Sequence, residues 1–182
     1  MKGIIFNLLE EVAERDFGEG AWDRLLDEAK VAGVYTSLGS YPDAELMALV
    51  AAATRLFGRA PADVLRWFGA AALQLMAERY PVFFHGHRSL LTFLPTINDV
   101  IHREVRKIYA GASTPDLRFD QISDGHLVMS YASDRGLCMF AEGLVEGAAS
   151  RFGEDVTIRQ PQCLHLGDAL CVFDVAFQRR AA

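Results

Sequence analysis

The sequence contains no apolar stretch long enough to cross a bilayer and no excess of basic residues. Charged residues interrupt its apolar runs before they reach the roughly 18–20 residues that a membrane-spanning helix needs. Lysine and arginine number 18 against 24 aspartate and glutamate residues, for a net charge of −6. This charge argues against nucleic acid or an anionic membrane surface as the main partner.

Cysteine is also scarce. The chain has three cysteines, and an odd number does not suggest the disulfide framework of a secreted protein. The first residues combine a lysine with a short apolar run, but Glu10, Glu11 and Glu14 fall where a signal peptide would need its small-residue cleavage site. We therefore expect a cytoplasmic protein that begins with a helix.

Catalytic motifs are missing as well. The sequence has no phosphate-binding glycine-rich loop, no paired carboxylates at a catalytic spacing and no nucleophile–base arrangement. We therefore do not expect an enzyme.

What the sequence does contain is a change of periodicity near residue 115. Before it, apolar spacing predicts helices at 4–16, 22–29, 43–57, 62–80, 89–94 and 97–109, with Asp43 as the N-cap of the third. After it, the pattern predicts strands at 117–122 and 126–132, a helix at 136–152, and strands at 156–164 and 170–177. The expected fold is α+β, with a helical N-terminal half followed by a ββαββ four-stranded antiparallel sheet.

The segment from Tyr131 to Arg135 is the first candidate for a binding site. If it is extended, Tyr131, Ser133 and Arg135 lie on one face and offer a row of hydrogen-bond donors. Such a row suits two carboxylates on a ligand, with Arg135 making the charge-assisted contact. An exposed polar strand has the same alternation, so these residues alone leave both interpretations open.

His102 is the second candidate. In the predicted helix at 97–109 it lies at the border of the apolar stripe, beside Asn98 and Tyr109. A packed structural histidine fits this position, and so does the proximal ligand of a haem iron. The remaining histidines fall in or near turns: His85, His87, His126 and His165.

The chain combines a helical half that begins Met1-Lys2-Gly3 with His102, Pro115 and then Tyr131-x-Ser133-x-Arg135. This combination resembles the H-NOX family. These are the haem domains of nitric-oxide and oxygen sensors related to soluble guanylate cyclase. The resemblance covers nearly the whole chain and includes 141–144 after the motif. It implies one domain over 1–182, with a helical subdomain at about 1–60, a haem-anchoring subdomain at about 61–182, and haem b buried between the two parts.

The resemblance also assigns roles to residues. It implies that His102 is the proximal iron ligand and that the propionates are held by Tyr131, Ser133 and Arg135. Two further positions, Ile5 and Pro115, match those where the family presses on and distorts the porphyrin.

Oxygen-binding members of the family place a tyrosine on the helix after the motif, and the matching residue here is Phe140. The expected neighbours of Phe140 are Leu9, Ala72, Leu73, Met76 and Leu144. None of these side chains donates a hydrogen bond, so we expect stable complexes of ferrous haem with NO and CO but not with oxygen.

The resemblance implies a stand-alone haem-based nitric-oxide sensor in which NO weakens or breaks the His102–iron bond. The output would pass to a separate partner, a histidine kinase or a cyclic-di-GMP enzyme. Two alternatives stay open at this point. One is an oxygen sensor or gas carrier on the same fold, and the other is a haem-free interaction module that contains zinc.

The cysteines are the candidate zinc ligands. Cys163 and Cys171 lie on the two arms of the predicted hairpin around Gly167–Asp168, and Cys138 lies near the start of the preceding helix. Some H-NOX proteins carry a Cys-His-Cys-Cys zinc site, but Gln160 occupies the position of its histidine. His165 is the substitute that the sequence offers. Zinc and reduced, buried cysteines are both compatible with this pattern.

Overall fold

The computed structural model describes residues 1–181 and has the predicted α+β order. Its helices are α1 (Gly3–Phe17), α2 (Ala21–Ala29), α3 (Asp43–Phe57), α4 (Pro61–Arg79), α5 (Leu90–Phe93), α6 (Arg103–Ile108) and α7 (Cys138–Phe152). A π-helix (Ile97–His102) runs directly into α6, and two 3₁₀ turns lie at Pro81–Phe83 and Leu164–Leu166. The strands are β1 (Asp116–Ser123), β2 (His126–Ala132), β3 (Glu154–Gln162) and β4 (Cys171–Arg179).

The four strands form one antiparallel sheet in the order β1-β2-β4-β3. The last strand therefore lies inside the sheet, where Tyr131 of β2 pairs with Cys171 of β4. The register of β3 and β4 shifts between Arg159 and Gln162. Pro161 lies within this shift, and it has no N–H to donate to the ladder.

Strand β2 has the predicted bounds, so the extended geometry considered for 131–135 stops at Ala132. The chain then turns, with the Gly136 amide donating to the Ser133 carbonyl at 3.2 Å. This turn needs the positive φ of 61° that Gly136 adopts. One local prediction was wrong: Asp43 is not an N-cap, because Pro42 takes that position and the Asp43 side chain makes contacts outside the helix.

Helix α4 contributes to both hydrophobic cores. Phe68 and Leu75 pack with α1, α2 and α3, whereas Leu73 and Ala77 pack with the sheet, α5 and α7. The apolar residues of α4 cover more than one face of the helix, which is the pattern of a buried helix. Within residues 1–181, no helix combines the length and the apolar character that a bilayer span requires.

Glycines allow α4 and α7 to approach closely. A methyl group added at Gly143 would overlap the Arg66 carbonyl, and one at Gly69 would overlap the Phe140 carbonyl. Ion pairs from Arg66 to Glu142 and Glu146 support the same contact. The two helices therefore pack backbone to backbone, which fixes the position of Phe140 relative to α4.

We expect Gly143→Ala to destabilise the protein by about 1–3 kcal/mol, because α7 must move away from α4 to admit the methyl group. Ser150→Ala is the matched control, since Ser150 is an exposed residue of the same helix and its change should stay within about 0.5 kcal/mol. Urea unfolding of both variants measures the difference. Equal free energies of unfolding would contradict the close contact.

Candidate functional site

A cavity of about 540 Å³ lies where the two parts of the fold meet. This volume is within the usual range of small-molecule sites, roughly 300–1,000 Å³. Most of the predicted site residues lie on its wall: Ile5, Leu73, Met76, His102, Pro115, Tyr131, Ser133, Arg135, Phe140 and Leu144. Leu9 and Ala72 do not, because both are buried in the helical core, and Leu8 takes the wall position on α1. One residue along a helix rotates the side chain by about 100°, which separates Leu8 from Leu9.

His102 ends the π-helix and lies on the cavity wall. Its Nδ1 lies 3.2 Å from Asn98 Oδ1, and the Asn98 amide nitrogen donates to the Leu117 carbonyl. Because that contact orients the Asn98 oxygen toward the imidazole, Nδ1 carries the proton and Nε2 keeps its lone pair. Burial, together with the nearby Arg106, lowers the pKa of His102 to about 4, so the ring is neutral at physiological pH.

The three hydrogen-bond donors predicted at 131–135 all line the cavity, but they lie at the end of a strand and in the turn after it, not on one continuous strand. Tyr131 is buried at the end of β2, and its hydroxyl accepts from the Leu137 amide at 3.2 Å. Burial raises the pKa of Tyr131, so the hydroxyl keeps its proton and can donate to a ligand. Ser133 and Arg135 follow in the turn, and both lie on the cavity wall.

Arg135 ties this turn to the helical part of the protein. Its Nε donates to Asp43 Oδ2 at 3.0 Å, and its Nη1 donates to the Ser113 carbonyl at 2.8 Å. Partial burial raises the pKa of Asp43, but hydrogen bonds from the amino group of Met1 and from Arg135 outweigh it and hold the pKa below its usual value. Sequence reasoning missed this partner, because the residues are 92 positions apart.

Phe140 contributes a purely apolar surface to the cavity. Its ring lies 4.9 Å from that of Phe68, measured between centroids. Two tyrosines on the wall were not predicted, Tyr80 and Tyr109. Burial and the neighbouring Tyr80 hydroxyl raise the pKa of Tyr109 to about 12, so the Tyr109 hydroxyl keeps its proton at physiological pH.

The three cysteines form a separate cluster. All are buried, their sulfur atoms lie within 4.8 Å of one another, and Cys138 Sγ is 4.0 Å from Cys163 Sγ. Burial, and the proximity of the Cys171 sulfur, raise the pKa of Cys138 to about 12. His165 is not part of the cluster, and its Nε2 lies 2.7 Å from the Gly136 carbonyl instead. The cluster thus supplies three sulfur ligands.

The sequence matches the Haem-NO-binding family over residues 2–160. The chain belongs to the H-NOX family. Among solved structures, it is similar to the H-NOX protein from S. oneidensis in the Fe(II)NO state, with 32% identity over 98% of this chain and 100% of that chain and a TM-score of 0.90. The Fe(II)CO form from Shewanella oneidensis has 31% identity over 99% and 100% of the two chains, with a TM-score of 0.89. The unliganded Fe(II) H-NOX protein from K. algicida has 26% identity over 100% and 99%, with a TM-score of 0.86.

H-NOX domains are haem-binding gas-sensor domains, and this pocket fits a haem group. Its wall is mainly apolar, its one histidine is neutral, and Tyr131, Ser133 and Arg135 lie at one part of the wall where they can donate to carboxylates. Within residues 1–181, nothing hydrogen-bonds to His102 Nε2, which leaves that nitrogen available to a metal.

We expect Arg135→Gln to release haem at least roughly tenfold faster than the wild type. The variant would lose the charge-assisted hydrogen bond that we expect Arg135 to make with a haem propionate, and such a bond contributes about 1.5–3 kcal/mol. Haem transfer to excess apomyoglobin measures the rate. Arg118→Gln is the control, because Arg118 is an exposed residue of β1 that does not line the pocket. An unchanged rate for Arg135→Gln would contradict its role in the pocket.

Proposed function

We propose that this H-NOX domain senses nitric oxide through ferrous haem b held by His102, and that it regulates a separate signalling protein. The observation that carries the proposal is the position of His102 on the wall of a large apolar cavity, with Nδ1 against Asn98 Oδ1 and with Nε2 free to bind a metal. Haem supplies the iron centre that binds a diatomic gas, and the chain supplies the ligand, the anchor and the surroundings of the gas.

The proximal side is organised by Asn98. Its Oδ1 accepts a hydrogen bond from the Nδ1–H of His102. This hydrogen bond fixes the tautomer and the orientation of the imidazole ring and makes Nε2 a better ligand. The propionate anchor is Tyr131, Ser133 and Arg135. Since Arg135 also holds Asp43 and Ser113, the anchor connects the cofactor to the start of α3 and to the loop before β1.

Selectivity for NO and CO follows from the apolar wall around Phe140. The side chains that α1, α4 and α7 contribute beside it are hydrocarbon or thioether groups: Ile5, Leu8, Leu73, Met76 and Leu144. A bound oxygen molecule becomes strongly polar and needs a hydrogen-bond donor, whereas NO and CO do not. The similar S. oneidensis proteins are described in NO and CO states.

We expect Phe140→Tyr to give or prolong an oxygen complex, because it places a hydroxyl donor on the apolar wall. Absorbance spectra of the reduced protein, taken anaerobically and then in air, detect the complex. Phe140→Leu is the control that opens space without adding a donor. A persistent oxygen complex in the wild type would contradict the assignment of Phe140, and no change at all in Phe140→Tyr would mean that residue 140 lies away from the gas.

An oxygen-binding sensor or gas carrier is the second candidate function, and Tyr80 is the observation that favours it. Tyr80, the residue directly after α4, also lines the pocket, and its hydroxyl is a hydrogen-bond donor that the side chains around Phe140 lack. If the wild type holds oxygen in air and Tyr80→Phe does not, this second function is correct.

For signalling, we propose that His102 would hold the haem iron and that NO bound to this iron would weaken that bond, so that His102 would no longer tie the π-helix and α6 to the cofactor. Ile5 and Pro115 also lie on the wall, one in α1 and one before β1, and we assign to them the contacts that distort the porphyrin. Relief of these contacts lets the helical part shift against the sheet. The partner that reads this shift is a histidine kinase or a cyclic-di-GMP enzyme.

His102→Gly should abolish the response to NO, since the haem no longer has a covalent link to the π-helix. The assay compares the activity of the partner with the variant before and after NO, in protein loaded with haem in the presence of imidazole. His85→Gly is the control, because His85 is exposed and does not line the pocket. An undiminished NO response in His102→Gly would refute the bond-release mechanism.

We also propose that the three-thiol cluster binds structural zinc. Three sulfur atoms within 4.8 Å match the ligand geometry, and zinc would stabilise thiolates that burial otherwise disfavours. The fourth ligand is not among the histidines near the cluster, because His165 faces Gly136.

Protein purified without chelator should contain close to equimolar zinc by elemental analysis. Cys163→Ser should lose it, since three ligands become two, whereas His165→Ala should retain it. Wild-type protein with only trace zinc would show that the cysteines are reduced and metal-free.

A further inference from the structure

A second cleft, of about 370 Å³, lies on the haem-anchoring part of the protein, outside the pocket described above. Its basic residues come from three separate segments: Arg88 precedes α5, Arg151 lies in the last turn of α7, and Arg179 ends β4. Its remaining residues are Phe84, His87 and Phe152. Neither the haem pocket nor the cysteine cluster uses the three arginines.

The positive charge of this cleft is not compensated. Within residues 1–181, none of the three guanidinium groups forms an ion pair with an acidic side chain, and the one hydrogen bond they make is from Arg179 Nη2 to the Arg88 carbonyl, at 3.3 Å. Glu154 pairs with Arg179 across the sheet, but its buried carboxylate accepts from the Leu90 amide at 2.8 Å. All three arginines are exposed, so an anion in solvent can reach them.

Structural roles account for only part of this cluster. A cation in the last turn of α7 interacts favourably with the helix dipole, which explains Arg151. That explanation does not extend to Arg88, which lies in a connector, or to Arg179, which ends a strand. The convergence of all three on one cleft therefore points to a ligand.

We propose that this cleft binds a phosphoryl group. A phosphate monoester carries a charge of roughly −1.5 to −2 and three strong acceptor oxygens, so it can pair with several guanidinium groups at once. A single carboxylate has one charge and two oxygens and would leave one arginine unpaired. The planar guanidinium fork matches phosphate geometry, which is the reason that arginine rather than lysine suits such a site.

The cleft and the haem pocket share a wall. Phe84 lines both, and its ring stacks on Phe93 at 4.9 Å between centroids. Phe93 in turn lies 5.4 Å from Phe152, which lines the cleft. A phosphoryl ligand would thus be separated from the haem pocket by one layer of aromatic rings.

Two sources offer this chemistry, a small phosphorylated molecule such as a nucleotide and a phosphorylated side chain of a protein. The second source rests on the proposed function, because it places the signalling partner at this cleft. The first does not depend on it.

Isothermal titration of the haem-loaded protein, at fixed ionic strength, tests the site with pyrophosphate, ADP and a phosphoserine peptide. Binding of at least one probe is expected, weakened roughly tenfold or more by Arg88→Gln and by Arg151→Gln. Arg159→Gln, an exposed arginine of β3 outside the cleft, should bind as the wild type does. The probe that binds most tightly identifies the source of the phosphoryl group.

Thermal unfolding separates a binding role from a structural one. Without a probe, Arg88→Gln should be at least as stable as the wild type, because it relieves repulsion. With the probe that binds most tightly in the titration, the wild type should gain stability and Arg88→Gln should gain much less. Arg88→Lys keeps the positive charge but loses the planar guanidinium group with its paired N–H donors. This variant should fold normally and bind the phosphoryl probe weakly. Absence of binding by every probe, or equal weakening in Arg159→Gln, would overturn the proposal. Either result leaves the NO response of the haem pocket unaffected.

Discussion

An apolar cavity of about 540 Å³ is the constraint on which this fold depends. Its wall combines apolar side chains from both parts of the fold with His102 and with the hydrogen-bond donors Tyr131, Ser133 and Arg135. Covering such a wall with a large apolar ligand is favourable, and haem is the ligand that the histidine and the donors fit.

The two hydrophobic cores hold this cavity between them. Helix α4 belongs to both cores, and its glycine-mediated contact with α7 sets the position of Phe140. At the same time, Arg135 joins the turn after β2 to Asp43 of α3. The α4–α7 pair and the Arg135–Asp43 contact therefore both link the helical part to the sheet.

The sequence was sufficient to predict the element order and most of the wall, because both follow from local periodicity and a recognisable motif. It could not predict the strand order, because the placement of β4 between β2 and β3 depends on tertiary contacts and not on local sequence. The sequence pointed to Leu9, whereas Leu8 lies on the wall, because both are apolar and the periodicity of α1 does not show which of its apolar residues faces the cavity. The Asp43 contact and the arginine cleft join residues far apart in the chain, and no local signal marks them.

The central claim is that His102 Nε2 is the proximal ligand and that Asn98 fixes its tautomer. Resonance Raman spectroscopy of the ferrous, gas-free protein tests it most directly through the iron–histidine stretching band. The account predicts a band that moves on ¹⁵N labelling of histidine and shifts in Asn98→Leu because the ligand loses its hydrogen-bond partner. In His102→Gly loaded with unlabelled imidazole, the band should no longer respond to the labelling. A band that still responds to labelling in His102→Gly, or a wild-type spectrum without a band, would contradict it.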